Sequence, residues 1–306
     1  MIVESLKYCL IQTLAYYDVF SYPLTFSEIS TKLTVKSCPS EIQLALDELE
    51  KDDVIFKFYE FYCLRNDYSM IEKRRTANAR AIGQMELSRK KAAFISKFPF
   101  IRGIFVSGSL SKNYADDKSD LDFFVVTSPD RLWLARTFFV MARKILIAKK
   151  NYKHYCLNYF IASNHLSIEE RNIFTATELA TLIPVYGHSY YHQLLMANEW
   201  LGEWLPNFRL GPEPIEEDKP SRLKSALEWL LSVLTTKRTE QRLMNLTLFK
   251  LRKQHESKFS KEDFAVAFKA REYVSKVHIG HNQKRILDLY EKRLKELRPL
   301  FETAPV

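Results

Sequence analysis

Two apolar runs of strand length, joined by a short polar stretch, constrain the fold of this chain more than any other feature. The first run, residues 101–107, ends at Gly108-Ser109, and the second, residues 121–127, begins directly after Asp120. Because side chains alternate between the two faces of a strand, Asp120 and Asp122 are expected to point the same way. The sequence therefore predicts two strands, with a turn of small residues after the first and two carboxylates on one face of the second.

The turn and the carboxylate pair suit two parts of one ligand. A helix that begins at Ser109 would leave the backbone N–H groups of the turn facing outward with the helix dipole behind them, which attracts phosphate. Asp120 and Asp122 are expected to reach one divalent cation, Mg²⁺ or Mn²⁺. Either feature alone is weak, since a Gly-Ser pair is usually only a turn and Asp-x-Asp is usually solvated surface. Together they predict a nucleotide site that contains a metal ion.

The order of strand, Gly108-Ser109, short helix with a polar loop, and Asp120-Leu121-Asp122 resembles the signature of the nucleotidyltransferase superfamily, which has the DNA polymerase β-like fold. Residues from about 6 to 207, including the stretch 17–25 and Cys156-x-Asn158-Tyr159, also look like a bacterial family that joins a winged helix to a nucleotidyltransferase domain. The resemblance implies metal-dependent transfer of a nucleoside monophosphate from a nucleoside triphosphate, with Gly108 and Ser109 on the phosphates and the two aspartates on magnesium. It implies no particular substrate.

One departure from the superfamily pattern bears on catalysis. Active members usually have a third acidic residue on a later strand, where it helps to hold metal and can deprotonate the acceptor hydroxyl. The candidate strand, residues 154–162, contains no Asp or Glu, and Asn158 stands where the carboxylate is expected. Its amide can coordinate a cation or bind nucleotide but cannot act as a general base near neutral pH. Alternatively, Asn158 satisfies backbone groups, and Glu178 either supplies the acid or lies on a solvated helix face.

Two functional classes follow from these observations. The first is an enzyme that transfers a nucleoside monophosphate to a small molecule, a protein side chain or an RNA end, with Asp120 and Asp122 as the catalytic and metal-binding residues. The second is a catalytically impaired nucleotide-binding sensor or regulatory adaptor, suggested by the missing third acid and the attached winged helix. The sequence names neither the base nor the acceptor.

The first seventy residues are predicted to form a winged helix-turn-helix module. Residues 6–17 have helical periodicity, Thr25 can cap a second helix with Glu28 three residues on, and residues 40–52 form a third. A β-rich hairpin follows at residues 54–64. The third helix reads DNA in such modules, but here it is acidic and repels phosphate. A structural or protein-interaction role is therefore favoured over nucleic-acid binding.

The predicted fold class is α+β in three domains. A winged-helix-like domain spans residues 1–70, a nucleotidyltransferase domain with a mixed sheet and helices spans 71–207, and a helical domain spans 208–306. Related transferases use such C-terminal helices for the acceptor pocket or a dimer surface, so a homodimer is an open alternative. Helices are predicted at residues 72–97, 130–149, 169–183, 189–205, 222–255, 261–277 and 283–297.

Two details of these helices concern charge. The segment 72–97 is strongly basic, and such a run is usually a solvated face, although Arg74 or Lys91 could neutralise a triphosphate. The next helix follows Asp130, which is expected to cap its first turn.

Composition indicates a globular protein that prefers anionic partners. The 306 residues have a formal net charge of +9, which suits nucleotides or acidic surfaces. The four cysteines are far apart without C-x-x-C spacing, as expected for buried thiols in a reducing compartment. The N-terminus resembles no secretory signal and no run is long enough to span a membrane, so a cytoplasmic location without a membrane partner is expected.

Overall fold

The computed structural model is a mixed α+β protein with two sheets. It describes the backbone of residues 2–117, 120–147, 155–211, 221–258, 264, 268–276 and 282–298. Within these ranges it describes all side chains except those of residues 2–4, 142–147, 155–158, 258 and 282.

The N-terminal module consists of three helices and a small antiparallel sheet in the order β1-β3-β2. The predicted capping box is confirmed: the Thr25 backbone N–H donates to the Glu28 carboxylate at 2.9 Å, and the Glu28 N–H donates to the Thr25 hydroxyl at 3.3 Å. The predicted hairpin is confirmed around Tyr59, whose φ is 56°. The elements are α1 (Ile2–Asp18), β1 (Leu24–Thr25), α2 (Phe26–Lys32), α3 (Pro39–Lys51), β2 (Phe56–Phe58) and β3 (Phe61–Cys63).

The larger sheet has the strand order β7-β4-β5-β6-β9-β8. Only the pairing of β5 with β6 is parallel among these neighbours. The remaining elements are α4 (Ser69–Ile95), β4 (Ile101–Ser107), β5 (Leu121–Thr127), α5 (Leu132–Ile147), β6 (Tyr155–Ala162), α6 (Ile173–Ala180), β7 (Ile183–Tyr186), α7 (His188–Met196), α8 (Leu201–Trp204), α9 (Arg222–Leu234), α10 (Lys237–His255), β8 (Ala270–Arg271), β9 (Val274–Lys276) and α11 (Asn282–Leu297).

The two faces of the larger sheet belong to two hydrophobic cores. One core contains Phe123 and Val125 of β5 together with side chains of α4 and α5. The other contains Phe124 and Val126 together with residues of α6, α7 and the three helices of the N-terminal module. Because side chains alternate along β5, Asp122 lies on the second face. The N-terminal module therefore packs on the same face of the sheet as that carboxylate.

Two predicted helices are wrong in part, because each contains a strand of the larger sheet. The helix predicted at 169–183 ends at Ala180, and Ile183 begins β7, which pairs with β4. The helix predicted at 261–277 contains β8 and β9, and Val274 is 2% exposed beside Ile161 of β6. Much of the earlier part of that predicted helix lies outside the described residues. A short apolar run does not show which distant strand it pairs with, so local periodicity misassigned both segments.

The predicted N-cap of α5 is also wrong. Asp130 has a left-handed φ of 54°, and the helix begins two residues later. The backbone N–H groups of Trp133 and Leu134 donate instead to the Glu240 carboxylate of α10, at 2.7 and 3.2 Å. Burial raises the pKa of Glu240 against the opposing effect of these two N–H groups. The free N–H groups of the first helical turn are thus satisfied by a residue more than one hundred positions away.

Candidate functional site

Gly108 and Asp122 are in contact where β4 ends and β5 begins. Ser107 is paired with Asp122 across the two strands, and Gly108 follows with a φ of 68°. A Cβ atom at Gly108 would lie 2.5 Å from Oδ2 of Asp122. Glycine is therefore required here both by the backbone conformation and by the carboxylate against it. The Gly108-Ser109 turn therefore lies directly beside Asp122 of the Asp-x-Asp motif.

The helix expected from Ser109 is only a single 3₁₀ turn, Leu110–Lys112. Asn113 ends it with a left-handed φ of 54°, and the N–H groups of Lys112 and Tyr114 donate back to the Ser109 carbonyl oxygen at 3.0 and 3.1 Å. Three residues give only a small helix dipole. The expectation that a helix dipole lies behind the turn is therefore wrong. The positive charge at the turn belongs to Lys112, whose Nζ donates to the Gly108 carbonyl oxygen at 3.1 Å.

A cavity of about 470 Å³ opens at this turn. Asp122 lines it, whereas Asp120, which immediately precedes β5, is exposed and does not line it in the described structure. A second carboxylate in the lining is Asp116, from the polar loop between the strands. The described residues that line it are Tyr17, Phe20, Tyr22, Ser107, Gly108, Ser109, Lys112, Tyr114, Asp116, Asp122, Phe174, Glu178 and Ile286.

An ion pair joins the turn to α6. Nζ of Lys112 lies 2.8 Å from Oε1 of Glu178, and both side chains are partly shielded, at 16% and 29% exposed. Glu178 therefore faces the cavity, and it does not lie on a solvated helix face. Sequence reasoning had not identified Lys112, although a lysine three residues after a Gly-Ser turn is a usable signal for phosphate binding. Among the described lining residues, Lys112 thus places an ammonium group beside the small residues of the turn.

The N-terminal module is bonded to the same turn. The Tyr22 hydroxyl donates to the Lys112 carbonyl oxygen at 2.5 Å, and its oxygen also lies 3.3 Å from the Glu28 carboxylate. The Arg74 guanidinium stacks on the Tyr22 ring, 3.7 Å from its centroid, and donates to Glu28 at 2.8 Å. Burial opposes ionisation of Glu28, but the hydrogen bonds and charge of Arg74 prevail and lower its pKa. The module is therefore fixed to the turn through Tyr22.

This network corrects the hypothesis that Arg74 neutralises a triphosphate. Arg74 is 3% exposed, and its donors are directed to Glu28, Asn78 and the Pro23 carbonyl oxygen. It is not among the residues that line the cavity in the described structure. Its charge is therefore used to hold α4 against the N-terminal module.

The carboxylate side chains at the site are of the type that binds magnesium rather than a transition metal. Mg²⁺ is usually held by one or two carboxylates together with phosphate oxygens, and Asp122 and Asp116 offer such carboxylates at the cavity wall. Within the described residues, no three Asp, Glu, His or Cys side chains are grouped as a complete metal site. The backbone of Asn158 lies at a register shift, because Leu157 is paired with Phe123 and Tyr159 with Phe124. The Asn158 side chain lies outside the described residues.

Comparisons with protein-family models, with curated proteins and with solved structures each gave no match to this chain. Among the described residues, no helix is both long enough and apolar enough to cross a membrane.

Proposed function

We propose that this protein is a nucleotidyltransferase that transfers a nucleoside monophosphate from a nucleoside triphosphate to an acceptor. The observation that supports this most is the contact between the Gly108 turn and Asp122 at the mouth of a cavity that also contains Lys112. A small-residue turn admits phosphate close to the backbone, and the neighbouring carboxylate offers a metal ligand. The fold of a mixed sheet with helices on both faces is compatible with the proposal.

The residues have separate roles in this proposal. Gly108 and Ser109 receive the β and γ phosphates, and the Lys112 ammonium neutralises part of their charge. In this proposal Asp122 holds magnesium with a second carboxylate, either Asp120 two residues earlier or Asp116 in the cavity wall. Magnesium held there would offset the repulsion between these carboxylates and the phosphates and would supply positive charge for the leaving group. An acceptor oxygen then forms a bond to the α-phosphorus, the bond to the bridging oxygen breaks, and pyrophosphate leaves.

Glu178 is the candidate for the base that β6 lacks. Its carboxylate faces the cavity and is paired with Lys112. A triphosphate competes with Glu178 for that ammonium group, and a carboxylate released from its partner can accept the proton of the acceptor hydroxyl. The assignment predicts that Glu178→Gln lowers transfer but leaves triphosphate binding in place.

The second candidate function is a nucleotide sensor, and a specific contact favours it. Tyr22 connects the N-terminal module, which we interpret as a winged helix, to the backbone of Lys112 in the phosphate turn. A ligand that moves this lysine therefore acts on the module directly. The acidic α3, with Glu41, Asp47, Glu48 and Glu50, favours a protein partner over DNA.

Incubation with each α-³²P-labelled triphosphate and Mg²⁺ separates the two candidates. Label transfer and pyrophosphate are scored separately, with and without added fractions of small molecules, protein and RNA. An enzyme releases one pyrophosphate for each label transferred, and Asp122→Asn abolishes both. A sensor binds the triphosphate and releases no pyrophosphate with any fraction. Binding that is unchanged in Asp122→Asn would contradict both candidates.

A further inference from the structure

Five of the thirteen described residues that line the cavity at the phosphate turn are aromatic. Tyr114 is attached to the turn itself, since its N–H donates to the Ser109 carbonyl oxygen. Its ring lies 6.0 Å from that of Tyr22, which in turn lies 5.8 Å from that of Tyr17. Phe20 lies in the same cluster, in edge contact with Tyr16 at 5.7 Å. The rings form a row that begins beside the phosphate turn and leads into the N-terminal module.

We infer that this row, hereafter the aromatic wall (Tyr17, Phe20, Tyr22 and Tyr114), stacks the base of the triphosphate on its accessible rings, Phe20 and Tyr114, with the buried rings of Tyr17 and Tyr22 behind them. The inference rests on the proposed function, because it assumes that the phosphates lie at Gly108 and Ser109. Lys112 and the carboxylates of the cavity lie at the turn, and a nucleotide has one anionic end and one planar end. A ligand whose phosphates occupy the turn therefore directs its planar end to the part of the cavity that is aromatic.

The wall offers stacking with little hydrogen-bond selection. The Tyr22 hydroxyl is engaged by the Lys112 carbonyl oxygen and Glu28, and Tyr17 is only 4% exposed. Phe20 has no polar atom and is 41% exposed, which leaves its ring the most accessible of these three. Stacking tolerates different bases because each base has a π face. We expect the four common nucleoside triphosphates to bind within about fivefold of one another.

The test compares magnesium tripolyphosphate with magnesium ATP, GTP, CTP and UTP by calorimetry on the full chain. Tripolyphosphate occupies the turn but has no base. In the wild-type protein, we expect the nucleotides to bind about tenfold more tightly than tripolyphosphate. Phe20→Ala should remove most of that difference, Phe20→Trp should retain it, and neither should alter tripolyphosphate binding.

The matched control is Phe249→Ala, which removes a 67% exposed phenylalanine from α10, outside the cavity. It should leave every affinity unchanged. Two results would overturn the stacking inference and leave the phosphate site intact. One is equal affinity for tripolyphosphate and nucleotides in the wild type, and the other is unchanged nucleotide binding in Phe20→Ala. If Asp122→Asn leaves tripolyphosphate binding unchanged, the proposed function itself fails, and this inference fails with it.

Discussion

The two faces of the larger sheet are both covered by elements anchored through polar side chains, but the anchors lie at different ends of β4. On one face, the N-terminal module is held by Tyr22 at the turn that follows this strand. On the other, α9 is held where β4 begins: Glu228 accepts from the Phe100 N–H at 2.6 Å and pairs with Arg102 at 2.7 Å.

The groups that the anchors bond to also differ. Nζ of Lys224 on α9 donates to the Ser96 and Ile101 carbonyl oxygens, each at 2.8 Å, so it satisfies backbone groups that would otherwise be buried without partners. Tyr22 contacts the backbone of a residue whose side chain lines the cavity. Polar anchors at the two ends of one strand therefore have different consequences. Those of α9 are expected to affect stability alone, and that of the N-terminal module is expected to affect stability and ligand binding together.

The largest expected effect is at the carboxylates beside the turn. Asp120→Asn combined with Asp122→Asn should abolish magnesium-dependent triphosphate binding, because the cation that bridges protein and phosphate loses its ligands. The free energy of unfolding should remain within about 1 kcal/mol of wild type. Calorimetry and urea denaturation check the two parts. Unchanged magnesium-dependent binding in the double variant would show that the site is elsewhere.

The next largest effect, on stability, is expected on the face of the larger sheet that α9 covers. Glu228→Gln should lower the free energy of unfolding by about 2 kcal/mol, because Arg102 loses a partly buried ionic partner. Triphosphate affinity should not change. The matched control is Glu296→Gln on α11, whose pair with Arg293 is more exposed and should contribute less than about 1 kcal/mol. A loss of affinity in Glu228→Gln would remove the distinction between the two faces.

A smaller effect is expected at the anchor of the N-terminal module. Tyr22→Phe retains the ring under Arg74 and removes only the hydroxyl that bonds to Lys112. We expect a loss of about 1 kcal/mol in the free energy of unfolding. Triphosphate affinity should fall by a few-fold, since the turn is held less firmly. If denaturation shifts and affinity does not, the module is only a structural support.

A further effect on the α9 side is a pH dependence of stability. Burial, followed by the charge of Arg102, lowers the pKa of Lys224 to about 8 in the folded protein, below its unfolded value of about 10.4. Between these values the unfolded chain binds more protons, so this residue makes the free energy of unfolding rise with pH from about 8 to 10. Denaturation at several pH values should show this rise in the wild type, and the rise should be smaller in Lys224→Met, because Lys32 and Lys276, whose pKa values burial also lowers, remain.

Local patterns in the sequence were sufficient to predict the parts of the fold that local interactions decide. The capping box of Thr25 and Glu28 and the hairpin around Tyr59 each involve residues within a few positions of one another, and both are confirmed. The prediction of a strand at 154–162 agrees with β6. The parallel neighbour of that strand, β5, contains the Asp122 of the motif.

Long-range partners were not predictable in the same way. The cap of α5 by Glu240, the pairing of β9 with β6 and the bond from Tyr22 to Lys112 each depend on the tertiary arrangement of distant segments. Arg74 shows the same limit, because its position in a basic run suggested an exposed charge and it is buried. At the site, the turn and Asp122 could be predicted as neighbours, whereas Lys112 paired with Glu178 could not.

The capping of α5 by Glu240 has a consequence for the order in which the protein can fold as it is synthesised. When a ribosome has made residues 1–211, the strands of the Gly108 turn exist, but α5 has no cap and β6 lacks its neighbour β9. The backbone at Ile101 also lacks Lys224. A fragment that ends at residue 211 should therefore be less stable and less cooperative in unfolding than the same residues within the full chain, even though it contains the whole candidate motif.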